Sequence, residues 1–164
     1  MPKLVWGLDN TFVYKNFELN VMLMAVYGKK ILNAVYAAST TILSDATAIS
    51  HVDGLDYWST SNEDAKFPNL LTSTGKNFIE STQYLQDGSY VKIKNVALAY
   101  NLTKKTLKIA DLKLTLSAQN LFTFTKYKGY DPETSTSSND IDGAIDVGSY
   151  PNARTITFGL QANF

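Results

Sequence analysis

Five segments of the chain alternate apolar and polar residues with a period of two, which is typical of β-strands that have one apolar face. In the first two segments one parity is mainly apolar and the other is mixed or mainly small and polar. Lys15-Asn16 forms a short turn between them, so the pair predicts an antiparallel hairpin. We predict strands at about 4–14, 17–28, 89–102, 111–124 and 154–164.

The alternation also predicts which side chains share a face. In the fourth and fifth strands the apolar parity contains Leu114, Leu116, Phe158 and Leu160, and the polar parity contains Thr115, Ser117, Thr157 and Gln161. Three residues break the pattern. Lys92 and Lys94 fall on the apolar parity. This indicates either a β-bulge near Asn95 or, if the strand crosses a membrane, that this part of it lies above the lipid. Asn120 also falls on the apolar parity and requires a local twist or bulge.

Long and short connections alternate between these strands. The long ones, about 29–88 and 125–153, are rich in Ser, Thr, Asn, Asp and Gly, and the stretch from Ile31 to Ile42 could form a short helix. Connections of this length are uncommon in compact domains and usually carry function or fold on themselves. Short turns on one side and long loops on the other are typical of outer-membrane barrels.

The composition supports a membrane barrel without requiring one. The chain has 10 Tyr, 8 Phe and 2 Trp, and aromatic residues gather at the two interfaces of such barrels. Lys and Arg balance Asp and Glu at 15 each, so charge gives no indication of nucleic acid as a partner. The first residues contain no secretory signal, so we expect an exported protein to be represented here by a fragment or a processed form.

Several phrases of the sequence resemble the C-terminal region of one family, the SusC/RagA family of TonB-linked outer-membrane transporters. They are spread over almost the whole chain and keep their order: Tyr14 to Leu19 (YKNFEL), Leu85 to Val96 (LQDGSYVKIKNV), Ala99 to Leu102 (AYNL), Gln119 to Tyr127 (QNLFTFTKY), Gly129 to Glu133 (GYDPE), Tyr150-Pro151 and Arg154-Thr155.

The resemblance implies an all-β fold, namely the last five antiparallel strands of a barrel of about 22 strands with two long external loops. It also implies that the plug domain and the remaining strands lie outside this sequence. In that family the complete protein imports oligosaccharides or peptides across the outer membrane of Gram-negative cells. Its partners would be a SusD-like surface lipoprotein, the TonB complex acting through the missing N-terminal part, and outer-membrane lipid.

No pattern of catalytic or metal-binding residues is present in the sequence, so we expect no enzyme, no cofactor and no metal. His51 is the single histidine and there is no cysteine, which leaves a catalytic triad resting on one loop residue. The segment from Ser138 to Gly143 resembles a calcium loop only faintly, because two important ligand positions hold serine.

The candidate functional residues are aromatic side chains in the loops and the terminal phenylalanine. The loop aromatics could stack on sugar rings or contact a partner lipoprotein, and the alternative role of each is to pack the loops against one another and against the barrel rim. They are Tyr57, Trp58, Phe67, Tyr127, Tyr130 and Tyr150. Phe164 closes the last strand and resembles the signal that is read during barrel insertion.

Two other functions fit the same pattern. A soluble carbohydrate-binding β-sandwich would also show alternation, many tyrosines and neutral charge, but it would turn its apolar parity inward. A non-functional fragment is the second alternative.

Overall fold

The computed structural model describes residues 2–40, 56–67, 69, 82–103, 110–133 and 145–163. Within that part the chain forms two compact units. The sheet unit consists of Met1–Lys29, Gly88–Tyr127 and Pro151–Phe164, and the loop unit consists of Lys30–Asp87 and Lys128–Tyr150. Phe164, His51 and residues 138–143 lie outside the described residues.

The sheet unit is one antiparallel sheet of five strands. The strands are β1 (Leu4–Tyr14), β2 (Phe17–Tyr27), β5 (Tyr90–Leu102), β6 (Asp111–Thr125) and β8 (Thr155–Asn163), and they pair in the order β1-β2-β5-β6-β8. The sheet is open, with β1 and β8 at its two edges. All of its pairings are antiparallel, because each strand pairs with its neighbour in the sequence among these five.

The loop unit contains short elements that the alternation did not predict. They are β3 (Lys30–Asn33), the helix α1 (Ala34–Thr40), a 3-10 turn (Thr82–Tyr84), β4 (Leu85–Asp87) and β7 (Ile145–Asp146). The three strands form a second small sheet in the order β4-β3-β7. Among the described residues no helix has both the length and the apolar character needed to cross a membrane.

The helix α1 lies within the stretch where a short helix was considered, but it begins three residues later. Ile31 belongs to β3, where it is 1% exposed. Asn33 ends that strand and caps the helix, since its Oδ1 accepts the backbone N–H of Tyr36 at 2.8 Å. The polar cap therefore decides where the helix begins.

A β-bulge explains the two lysines that broke the alternation. Met22 pairs with Asn95 and Leu23 pairs with Ile93, so Lys94 is an extra residue in β5 relative to β2. One extra residue exchanges the two faces of the strand beyond it. Ile93 consequently joins the apolar face, and Lys92 moves to the opposite face, where it is 1% exposed.

The misfit at Asn120 has a related cause. Gln119 pairs with Asn95 and Phe122 pairs with Ile93, so the two residues between them in β6 lie opposite the single residue Lys94 in β5. Asn120, the first of the two, has a φ of 52°. Asparagine tolerates this left-handed conformation better than most residues. Its amide donates to the carbonyl of Ala153 at 3.0 Å, which links the irregularity to the segment before β8.

Candidate functional site

The register of the sheet unit separates an apolar face from a polar one. Directly paired residues of neighbouring antiparallel strands project to the same side of a sheet. The apolar face carries a continuous row across all five strands, formed by Phe12, Leu19, Leu98, Leu116 and Phe158. The four residues that sequence placed on the apolar parity, Leu114, Leu116, Phe158 and Leu160, all lie on this face.

Two rows with aromatic residues bound the apolar face. The turn-side row contains Tyr14, Phe17, Tyr100, Leu114 and Leu160, and the rings of Phe17 and Tyr100 are 4.6 Å apart. The loop-side row contains Trp6, Ala25, Val91 and Phe124. Halfway between them is the central row, formed by Asn10, Val21, Val96, Ala118 and Ile156, in which Asn10 is the polar member.

The distance between the two aromatic rows matches a lipid bilayer. Trp6 and Tyr14 are eight residues apart on β1, which is about 27 Å at roughly 3.4 Å per residue. A strand tilted by about 40° spans about 21 Å of that along the membrane normal, close to the apolar band of about 25 Å in membrane barrels. Phe12, Leu116 and Phe158 are 59%, 51% and 70% exposed.

The opposite face of the sheet carries a hydrogen-bonded polar network. The amide of Asn20 donates to Asp9 Oδ1 at 2.7 Å and to Thr11 Oγ1 at 3.1 Å, and it accepts from the amide of Asn95 at 3.3 Å. On the same face Lys113 forms an ion pair with Glu18 at 3.0 Å. Both partners are over a third exposed, so this pair contributes little to stability.

Two of the six candidate loop aromatics hold the loop unit together. The rings of Tyr57 and Phe67 are 5.7 Å apart, and Phe67 is 3% exposed. The hydroxyl of Tyr57 donates to the carbonyl of Thr40, the last residue of α1, at 3.2 Å. Burial raises the pKa of Tyr57, and the nearby hydroxyls of Tyr84 and Tyr36 raise it further. These contacts give Tyr57 and Phe67 a packing role.

The other four candidates differ in accessibility. Tyr127 belongs to the sheet unit and is buried, with 6% of its surface exposed. Trp58, Tyr130 and Tyr150 belong to the loop unit and are 40%, 74% and 94% exposed. Only the exposed rings have a free surface for stacking on another molecule.

Tyr130 lies beside a cleft of about 300 Å³ within the loop unit. The cleft also contains polar side chains from three other segments, namely Asn33 at the end of β3, Ser39 on α1 and Asp146 on β7. Sequence reasoning did not select these three, because they converge only through the pairing of β3 with β7. Trp58 and Tyr150 do not line it.

The described residues show no arrangement typical of a metal site. No group of three or more His, Asp or Glu side chains in that part of the chain could hold an ion. Asp131, 5% exposed, uses its Oδ1 to accept the backbone N–H of Glu133 at 3.0 Å, which stabilises a turn.

Curated relatives resemble the chain over nearly its whole length. TonB-dependent receptor P3 of Formosa agariphila is 34% identical over 171 residues, covering 99% of this chain and 16% of the relative. TonB-dependent receptor SusC of Bacteroides thetaiotaomicron is 28% identical over 162 residues, covering 96% of this chain and 15% of the relative. The chain thus spans about one sixth of these relatives, and no family model matches it.

The solved structures that resemble the chain share its fold. The RagAB peptide importer in its closed-closed state superposes with a TM-score of 0.78 at 24% identity, covering 100% of this chain and 17% of the importer chain. In the open-open state the TM-score is 0.74 at 23% identity. At this level of identity the likeness establishes the fold, an all-β segment of a large barrel. From its sequence and its fold together, the chain belongs to the SusC/RagA family of TonB-dependent receptors, as a segment of their β-barrel.

Proposed function

We propose that the chain forms part of the wall of an outer-membrane, TonB-dependent importer of oligosaccharides or peptides. The observation that carries this proposal is the apolar face of the sheet, which is bounded by two aromatic rows about one bilayer apart. The curated relatives are named as TonB-dependent receptors, and the RagAB structures are described as a peptide importer. None of these names indicates an enzyme.

In this proposal the apolar face contacts outer-membrane lipid and the polar face lines the barrel interior. The strands at the edges of the sheet, β1 and β8, would pair with further strands of the complete receptor, because unpaired backbone groups are costly in lipid. TonB would act through parts of the receptor that these residues do not include. A SusD-like lipoprotein would be the partner at the external side, where the loop aromatics Trp58 and Tyr150 are candidates for contact.

The proposed orientation follows from the connections between strands. Both segments of the loop unit leave the sheet at the loop-side row, between Tyr27 and Tyr90 and between Thr125 and Thr155. The connection Lys15-Asn16 lies at the other end. Short connections face the periplasm in outer-membrane barrels and long ones face outward. Residues 29–88 and 125–153 would therefore be external.

A soluble carbohydrate-binding sandwich fits the geometry less well. A sandwich buries its apolar face against a second sheet of comparable size. The other sheet in the described part of the chain has strands of four, three and two residues, and Phe12 and Phe158 remain largely exposed.

A protease-accessibility experiment tests the proposal in the full-length receptor that contains this segment. One variant carries a protease site next to Thr60, in the loop unit, and a matched variant carries it between Lys15 and Asn16. In intact cells we expect cleavage at the first position only, and cleavage at the second after the outer membrane is permeabilised. Equal accessibility of both positions, or a receptor that is soluble without detergent, would refute the proposal.

A further inference from the structure

Two cationic side chains at the loop-side end of the apolar face have no anionic partner. The guanidinium of Arg154 lies over the ring of Phe122, 5.4 Å from the ring centroid. Lys126 directly follows the end of β6 and is exposed. Within the part of the chain that the structure describes, neither side chain makes an ion pair or a hydrogen bond. The N–H donors of both groups are therefore free to bind another molecule.

The backbone holds Arg154 in place beside β6. The amide of Asn120, at the irregularity of β6, donates to the carbonyl of Ala153, the residue directly before Arg154, at 3.0 Å. Phe122 comes two residues after Asn120 and carries the guanidinium over its ring. A cation on an aromatic face is attracted by the ring, and a guanidinium also stacks on it. One short segment of β6 thus fixes both the backbone and the side chain of Arg154.

Two phenylalanine rings form an apolar surface next to these cations. The rings of Phe122 and Phe124 are 6.5 Å apart with an interplanar angle of 31°, and the two residues are 51% and 61% exposed. Phe124 belongs to the loop-side row, and Lys126 follows it by two residues, on the same parity. From the central row outward the face therefore presents Phe122 with Arg154, then Phe124, and then Lys126.

The depth of Arg154 in the proposed bilayer favours an anionic partner. Phe122 pairs with Ile93, in the row next to the central row, which is about 5 Å from the midplane for a strand tilted by about 40°. A cation that faces lipid at this depth is unfavourable unless it is paired or reaches the headgroups. No described strand supplies an acidic side chain on this face, since all the Asp and Glu residues of the five strands belong to the polar parity: Asp9, Glu18 and Asp111. The anion must come from outside this sheet.

We propose that the two cations and the two phenylalanines form a binding site for the phosphorylated headgroup of a lipid in the external leaflet of the outer membrane. Arg154 would bind a phosphate through two parallel N–H···O bonds, the geometry that its planar fork favours. Lys126 would add a second positive charge nearer the membrane surface. The rings of Phe122 and Phe124 would contact the upper part of the acyl chains. Basic groups at headgroup level recognise phosphorylated lipids in this way.

A soluble anion fits this position less well. The guanidinium lies on the face that contacts lipid, and the two exposed rings offer an apolar surface that a free phosphate ion leaves uncovered. An acidic residue on the strand that adjoins β8 in the complete receptor is the alternative partner, and the experiment below separates it from a lipid. The inference rests on the proposed function, because the loop-side end must be external for the lipid to belong to that leaflet.

The test measures lipid binding to the full-length receptor, purified in detergent, by native mass spectrometry. The probes are diphosphorylated lipid A, the same lipid without its phosphates, and inorganic phosphate as a competitor. We expect the diphosphorylated lipid to bind at least about five-fold more tightly than the dephosphorylated one, because charge-assisted hydrogen bonds are the strong ones. Inorganic phosphate should compete only weakly, since it has no acyl chains to contact the phenylalanines.

Substitutions locate the binding within the receptor. Arg154→Gln should lower the affinity for the diphosphorylated lipid by at least about five-fold and change that for the dephosphorylated lipid by less than about two-fold. Arg154→Lys keeps the charge without the planar fork and should give an intermediate loss. Lys15→Gln is the matched control, because Lys15 Nζ also lies 5.4 Å from an aromatic centroid, that of Tyr14, but at the turn-side end. It should change the affinity by less than about two-fold.

Four outcomes would overturn the inference. They are equal binding of the two lipids, full competition by inorganic phosphate at the concentration of the lipid, equal losses from Arg154→Gln and Lys15→Gln, and no loss from Arg154→Gln. The last result is the one expected if an acidic residue of the adjoining strand binds the guanidinium. Heat-modifiable migration in gels shows that each variant is folded. The protease-accessibility experiment tests the orientation separately, so a receptor with the expected topology but without lipid binding at Arg154 would refute this site alone.

Discussion

The assignment of the two faces predicts a large difference between substitutions at neighbouring positions of β6. Leu116 lies on the apolar face, one row from the central row, and Ser117 lies on the polar face in a row with Thr11, Asn20, Ala97 and Thr157. Both substitutions place the same charged side chain on the same strand. The difference between the two positions is the face of the sheet, which is apolar at Leu116 and polar at Ser117.

The magnitude follows from the depth of Leu116 in the proposed bilayer. It lies two residues from Ala118 of the central row, or about 5 Å from the midplane along the membrane normal for a strand tilted by about 40°. Arginine facing lipid at the midplane costs about 2–4 kcal/mol, and near the interfaces about 0–1 kcal/mol. We expect Leu116→Arg to fall within the first range, somewhat below Ile156→Arg in the central row.

The row assignment also predicts a gradient with depth. Leu160 belongs to the turn-side row, so Leu160→Arg should cost only about 0–1 kcal/mol even though the residue faces lipid. Ser117→Arg should cost less than Leu116→Arg, because a side chain at that position faces the interior of the barrel.

The assay is denaturant unfolding of the full-length receptor from phospholipid vesicles, followed by tryptophan fluorescence. The free energy of unfolding is compared for Leu116→Arg, Ile156→Arg, Leu160→Arg and Ser117→Arg. A loss of 2–4 kcal/mol corresponds to a factor of about 30 to 1,000 in the folding equilibrium. Equal losses at Leu116 and Ser117, or a larger loss at Ser117, would refute the assignment of the faces.

Three further predictions concern other parts of the chain. Because the pKa of Tyr57 is raised, the contribution of this residue to the stability of the loop unit should be fully present below the ordinary tyrosine pKa and lost as the pH rises through the higher value. Protease digestion across alkaline pH should show this loss, and Tyr57→Phe should reduce it. Deletion of Phe164 should lower the outer-membrane level of the full-length receptor sharply on membrane fractionation, whereas an unchanged level would contradict its role in insertion. The 164 residues alone should aggregate in buffer, because β1 and β8 are open edges and the apolar face is exposed; a monodisperse, well-dispersed monomer in solution NMR would disprove this.

Local patterns carried most of the information about the sheet. In a strand successive side chains point to opposite faces, so alternation alone assigns Leu116 and Phe158 to one face and Ser117 and Thr157 to the other. The same rule showed that Lys92 and Lys94 break the alternation, which left either a bulge near Asn95 or a part of the strand above the lipid, and the register shows the bulge. The order and spacing of the phrases along the chain indicated the family, and the relatives confirm it.

The tertiary structure decided what depends on contacts between distant segments. The sequence marked Tyr130 as one of six aromatic candidates but could not separate it from Tyr57, which packs against Phe67. Asn33 and Asp146 were not among the candidate functional residues, because a single Asn or Asp in a loop forms no repeating pattern that would indicate a role. They come together only when β3 pairs with β7, more than a hundred residues later in the chain. The alternation within a strand reflects the different surroundings of its two faces, so it can be read from neighbouring residues. A cleft between loops depends on pairing between distant segments, which a local sequence pattern does not predict.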